Sequence, residues 1–155
     1  MPRIISFGWT WPAIRARVKT VTRRAWSYEY ASMFRHGDIC QAYDKVPFHS
    51  GRRIGLIRLT RPPYWEPIQY MPDSDYVAEG FQYLHAHPGL LPASMPIGVS
   101  RAGFREWRAS KALYRVVRFE HLPECVACAL PGCHADGAKG PHPECSAARY
   151  LRRPR

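Results

Sequence analysis

Apolar residues recur along this chain in short runs of period two, with brief stretches of helical period between them. Ile4-Ile5-Ser6-Phe7 reads as a short buried strand that Gly8 ends. Thr10 can cap a short helix, whose first turn tolerates Pro12. Within that helix Trp11, Ile14 and Val18 share a face, which turns Arg15 outward. Lys19 to Arg24 then reads as the loop leaving the helix. A helical turn is expected within Tyr28–His36, and Gly37-Asp38 turns the chain into the alternating strand Ile39-Cys40-Gln41-Ala42-Tyr43. After a loop from Pro47 to Gly51 comes the strongest strand signal, Arg53 to Thr60, bounded by Pro62-Pro63. Tyr64-Trp65-Glu66-Pro67-Ile68 is expected to cover a sheet face.

Asp73 or Ser74 begins a helix running through Tyr76, Val77, Phe81 and Leu84, with Gly80 as its weak point. Residues 86–100, which carry His87-Pro88-Gly89, Pro92 and Pro96, make a long irregular connection. A short helix around Phe104–Trp107 and a last strand, Leu113 to Phe119, complete the pattern. Several short strands with two or three helices between them, and no internal repeat, specify a small α+β domain whose sheet is twisted or barrel-closed. After Leu122 large aliphatics give way to Pro, Gly, Ala and Cys, a composition that buries no core without a metal or a partner. The chain therefore divides into a domain at 1–121 and a Cys-rich basic tail at 122–155.

The 155 residues, 46% hydrophobic and 13% aromatic, suffice to fill one core and exclude a disordered chain. Charge changes the picture more. The chain carries 23 basic and 12 acidic residues, and 18 of the basic and 9 of the acidic lie within 1–121, so the excess belongs to the main body. Such a balance favours polyanions, nucleic acid before an anionic membrane. No apolar run approaches the roughly 20 residues of a spanning helix, and no signal peptide opens the chain, so a cytoplasmic location with reduced thiols is expected. No protein partner is evident.

Five cations, Arg15, Arg17, Lys19, Arg23 and Arg24, fall within ten residues, with no carboxylate before Glu29. Thr20 and Thr22 sit among them, and Trp9, Trp11 and Trp26 flank them. Cations beside aromatics suit a ligand carrying phosphate and a flat base, and Trp9 and Trp26 are candidates to stack on that base. A lysine near a threonine hydroxyl is a candidate base–nucleophile pair. Structural roles compete with each of these. Thr22 can bond backbone in a turn, Lys19 can be a phosphate contact, and the aromatics can be core.

Lys19-Thr20-Val21-Thr22-Arg23-Arg24 after a short helix, Gly37-Asp38 leading a strand, Ala78-Glu79-Gly80-Phe81 on a helix and the closing strand Val116 to Glu120 together resemble an ASCH domain. That family is a branch of the PUA-like superfamily, and the resemblance covers about residues 3–121. It implies a small PUA-like β-barrel with helices at its mouth and a basic cleft. Many members are taken to bind RNA, and one branch is linked to ribonuclease activity. A small bacterial branch is similar in its polar motif and hydrolyses N4-acetylcytidine. Its catalytic Lys, Thr and Glu fall on Lys19, Thr22 and Glu79, without a cofactor. The resemblance implies that Thr22 attacks or positions a water, with Lys19 as the base. Glu79 would protonate the leaving nitrogen or orient Lys19, and Arg24 or Arg23 would hold the oxyanion. Glu79 as a counter-ion to the arginines is the structural alternative. An amidohydrolase on an N4-acylated cytidine or related nucleoside is thus the first expectation. A non-catalytic RNA or modified-base module is the second, and a ribonuclease the third. The longer 86–112 region and the tail depart from the small amidohydrolases.

In the tail, Cys125-x2-Cys128-x4-Cys133 and Cys145 offer four thiols within 21 residues, near His134 and His142. Zinc takes four tetrahedral S/N ligands, and Cys-x2-Cys is the usual first half of such a site. A structural zinc on Cys125, Cys128, Cys133 and Cys145, or on His142 in place of Cys145, would order the segment. Reduced, unstructured thiols are the alternative.

Overall fold

A computed structural model of the protein describes residues 3–122, and across that span short strands alternate with short helices. The chain opens with β1 (Arg3–Ser6), a 3-10 turn at Gly8–Thr10, α1 (Trp11–Arg15) and β2 (Val21–Arg24). Next, α2 (Tyr28–Ser32) leads to β3 (Ile39–Tyr43), which a hairpin returns as β4 (Arg53–Leu59). Strand β5 (Tyr64–Pro67), helices α3 (Asp75–Ala78), α4 (Phe81–Ala86) and α5 (Arg101–Ala109), and strand β6 (Leu113–His121) complete the fold.

The six strands form one sheet in the order β1-β3-β4-β6-β2, with β5 also on β6. Only the β1–β3 pairing is parallel. Strand β6 holds the sheet together by changing partner along its length. Its Phe119–His121 end pairs with β4, while Arg115–Arg118 pairs with β2 and Leu113–Val116 with β5. Strand twist accumulated over these pairings curls the sheet into a half-barrel, and the domain is mixed α+β. Two apolar cores result. One lies within the curl, around Phe7, Ile14, Phe34, Ile57 and Phe119. The other joins the helices to β6, around Ile68, Tyr76, Phe81, Leu84 and Phe104.

Several expectations need correction. Val21–Arg24 is not a loop but a strand, paired Val21↔Arg118 through Arg24↔Arg115. Tyr64–Pro67 does not lie over a sheet face but adds to the β6 edge as β5. Helix α1 ends at Arg15, and Arg17 takes a left-handed φ of 62°, so Val18 leaves the buried face and is 37% exposed. Thr10 precedes α1 but its hydroxyl donates to the Phe7 carbonyl rather than capping the helix. Asp73 pairs with Arg108 and Ser74 makes no cap bond, so neither side chain starts α3.

The single helix expected through residues 76–84 is two helices, broken at Gly80 with φ +82°. A Cβ there would meet the Ala13 Cβ at 2.5 Å and the Lys19 Cβ at 3.3 Å. Gly80 therefore lets α3, α1 and the Lys19 segment close on one another. Gly37 has nearly the same φ, +84°, with nothing within 4 Å of its Cβ position, so it isolates the backbone cost. Gly37→Ala should cost about 1–2 kcal/mol for the left-handed conformation alone. Gly80→Ala should cost about 3 kcal/mol or more once overpacking is added. Urea unfolding of the two variants would measure both; equal losses would refute the packing role.

Candidate functional site

Backbone contacts converge on the segment just before β2. The Lys19 N–H donates to the Ala13 carbonyl at 3.2 Å, Thr20 N–H to Ala78 at 2.8 Å, and Phe119 N–H to Thr20 at 2.9 Å. His121 Nε2 lies 2.8 Å from the Lys19 carbonyl. Pinned between α1, α3 and β6, Lys19 extends its side chain to the C-terminal end of α3. There Nζ donates to Glu79 Oε2 at 2.6 Å and to the Glu79 carbonyl at 2.9 Å.

Glu79 is shared. Its Oε1 accepts from Arg23 Nη1 at 2.9 Å, while Arg23 Nη2 donates to Asp75 Oδ2 at 2.6 Å and Glu66 Oε1 at 2.5 Å. Arg118 approaches Asp75 from the other side, at 2.9 and 3.1 Å, and its Nε donates to the Tyr64 hydroxyl. Three cations and three carboxylates thus form one continuous group. Lys19, Glu79, Asp75 and Arg23 are all buried. Burial is the largest influence on Lys19 and lowers its pKa below the ordinary 10.5; Glu79 opposes this, while Arg24 and Arg23 add to it. Burial alone would lower Arg23 as well. There Glu79, with the hydrogen bonds to Glu66 and Asp75, outweighs burial and raises its pKa.

This group borders a cavity of about 130 Å³. Lys19, Thr22, Arg23, Arg24 and Glu79 supply its polar side, and Phe7, Trp9, Phe81, Ile97, Trp107 and Tyr114 its apolar side. The pocket therefore sits between the two cores, with Phe7 from one and Phe81 from the other. Thr22 is buried, yet its hydroxyl has no hydrogen-bond partner among the described residues. Arg24 sends Nη2 to the Ser6 carbonyl at 2.5 Å and lies 5.4 Å from the Phe7 ring centroid. Its Nε is buried without a partner.

Lys19, Thr22, Glu79, Trp9, Arg23 and Arg24, all candidates from sequence, come together here. Trp26 does not. It stacks on Phe34 at 4.8 Å between ring centroids and packs on the core inside the curl. The site also holds residues that the sequence did not flag. Asp75 and Glu66 anchor Arg23, and Trp107 and Tyr114 wall the pocket; all arrive by long-range contact, without a local signal. Cys40 is a buried free thiol whose pKa is pushed up to about 12 by burial and then by Asp38, so it is no nucleophile. Among the described residues no group of three His, Cys, Asp or Glu could hold a metal ion. Cys125, Cys128, Cys133 and Cys145 lie outside those residues. No helix among the described residues is long and apolar enough to cross a membrane. Compared with known proteins, the chain matches no family model, no curated protein and no solved structure.

Arg23→Met should leave Glu66, Asp75 and Glu79 facing one another and cost about 3–5 kcal/mol. Thr22→Ala removes an unpartnered hydroxyl and should cost less than about 1 kcal/mol. Chemical denaturation of both variants checks the contrast. Lys19 adds a pH dependence. Its folded pKa is lowered, so its contribution to stability is complete above pH 10.5, where the unfolded lysine is also neutral. That contribution declines as pH falls through the lowered folded value, because the unfolded state then binds the proton more readily. Unfolding free energy measured across alkaline pH should fall in that direction, and less so in Lys19→Met.

Proposed function

We propose that this chain is an ASCH-type, PUA-like domain whose pocket hydrolyses the N4-acyl amide of an acylated cytidine or a related modified nucleoside. One observation carries the proposal. An unpartnered Thr22 hydroxyl opens on the same pocket as a buried lysine whose pKa is lowered and whose amine is oriented by Glu79. That combination is what an activated hydroxyl nucleophile needs. A curled half-barrel flanked by helices is consistent with the family's architecture.

Neutral Lys19 takes the Thr22 proton as Oγ1 attacks the acyl carbon. The tetrahedral oxyanion lies against the guanidinium of Arg24 rather than Arg23, because Arg23 is occupied by three carboxylates. Protonated Lys19, held by Glu79, returns the proton to N4 as the C–N bond breaks and the nucleoside leaves. Water, deprotonated by Lys19, then attacks the Thr22 ester; as the C–O bond breaks, Lys19 returns the proton to Thr22 Oγ1, and the carboxylic acid leaves. Trp9, Phe81, Trp107 and Tyr114 provide flat and apolar surface for a base and a short acyl chain. Arg23 is already held by three carboxylates, which leaves Arg24, bonded among the described residues only to the Ser6 carbonyl, as the guanidinium open to a developing oxyanion.

Incubation with N4-acetylcytidine should release cytidine and acetate. Thr22→Ala should reduce turnover at least about a hundredfold, in line with loss of a nucleophile, while remaining folded. Turnover should rise with pH as Lys19 loses its proton, and level off below pH 10.5. Release by Thr22→Ala at the wild-type rate would overturn the assignment. No release by the folded wild-type protein would leave the pocket as a binding site for RNA or modified bases.

A further inference from the structure

The hairpin joining β3 to β4 ends in an unusual surface. Phe48 at its tip is 98% exposed and Val46 beside it 41%. Elsewhere the large aromatics are mostly recruited to the two cores. A side chain this apolar and this exposed has no structural work to do in the described domain.

The tip is nevertheless built firmly. Asp44 Oδ1 accepts from the backbone N–H groups of Lys45 and Arg52, both at 2.7 Å, which closes the loop at its base. His49 N–H and Gly51 N–H both donate to the Val46 carbonyl, at 3.0 and 3.3 Å. A Cβ on Gly51 would stand 2.0 Å from the Lys45 carbonyl oxygen, so the two sides of the loop touch through backbone. Held this way, the loop presents Phe48 with little freedom to fold it back.

Its surroundings are cationic. Lys45 is exposed, and the Arg52 side chain is 89% exposed, reaching Asp44 only at 3.9 Å. The position also matters. Phe7 N–H donates to the Tyr43 carbonyl at 2.8 Å, so the hairpin leaves the sheet beside Phe7, a residue of the pocket wall. Pocket and tip thus share the Ser6–Tyr43 end of the parallel β1–β3 pair.

We propose that the β3–β4 tip is a contact for single-stranded nucleic acid, with Phe48 stacked on an unpaired base and Lys45 and Arg52 against the adjoining phosphates. A flat apolar ring on a hairpin with two exposed cations matches a ligand that alternates flat bases with anions, and an unpaired base has a free face to offer. The chain's net charge of +11 favours the same encounter. This site needs no hydrolysis at the pocket and stands independently of it.

The test is fluorescence anisotropy of the full chain with a labelled RNA oligonucleotide lacking any acylated base, repeated over a range of salt concentrations. Phe48→Ala should weaken binding about tenfold with an unchanged salt slope, while Phe48→Trp retains the wild-type affinity. Lys45→Ala with Arg52→Ala should lower the salt slope by about 1 to 2. Wild-type affinity in Phe48→Ala would overturn the proposal. So would binding of phosphatidylserine vesicles, or self-association by light scattering, that Phe48→Ala abolishes while RNA affinity is unmoved. Because Phe48 is exposed, unaltered thermal unfolding of the variants shows that any loss is local. Failure here leaves the N4-acyl hydrolysis untouched, and the reverse holds.

Discussion

The carboxylate of Glu79 is the constraint on which the rest of the site depends. One oxygen holds Lys19 and the other Arg23, so a single side chain at the end of α3 fixes two residues that flank Thr22 on either side. Burying these charges is costly, and their mutual attraction returns the cost only where every hydrogen bond is well made. Stability gives no reason to prefer them, since apolar side chains of equal volume would serve as well. The proposed amidohydrolase chemistry supplies a reason instead. That proposal asks for an amine kept dry and oriented by Glu79 on the same pocket as an unpartnered hydroxyl. The backbone makes this arrangement possible at Gly80, whose missing side chain lets the Lys19 segment pass against α1 and α3.

Strands buried on one face or both were legible in the sequence, because their side chains alternate or are continuously aliphatic. Ile39–Tyr43 and Arg53–Leu59 are both strands, and Cys40 and Ala42 alternate inward as the pattern requires. The general architecture, short strands and short helices in one α+β unit, followed from them. Strand β2 was not legible. Its cations suggest solvent, and the carboxylates that bring Arg23 inside stand 43, 52 and 56 residues further along the chain. No local window contains both halves of that interaction. The helix over 76–84 fails for a related reason. Its apolar spacing continues through Gly80, whereas the break is set by the contact that position must make with Ala13.

The polar residues of the site were legible as a set, and their roles were not. The resemblance to ASCH domains pointed to Lys19, Thr22 and Glu79, which meet at one pocket. Arg23 and Arg24 are neighbours in sequence with identical side chains, and only the fold separates them. Adjacent strand residues point to opposite sides of a sheet, so Arg23 reaches the carboxylates while Arg24 reaches Ser6 and Phe7. Trp26 illustrates the reverse case. Proximity to a basic motif suggested a stacking role, but Phe34, eight residues on, offers it a closer surface.

The distribution of charge joins the two sites. With Lys19 protonated, the three cations and three carboxylates of the buried group cancel. The group therefore contributes nothing to the excess of 18 basic over 9 acidic residues in the domain, and that excess belongs to other positions. A nearly neutral buried group within a strongly basic domain would, on the two proposals, separate two tasks. On the proposed reading, long-range attraction would draw a polyanion toward a surface where Lys45 and Arg52 are accessible. Selection in the proposed pocket would then depend on shape and hydrogen bonding, since Arg23 is engaged by carboxylates and Arg24 is not. A buried network discriminates by what it cannot rearrange. A phosphate brought against Arg23 would have to displace Asp75 or Glu66, whereas the uncharged amide of the proposed substrate would ask only for the unpartnered hydroxyl and the Arg24 guanidinium.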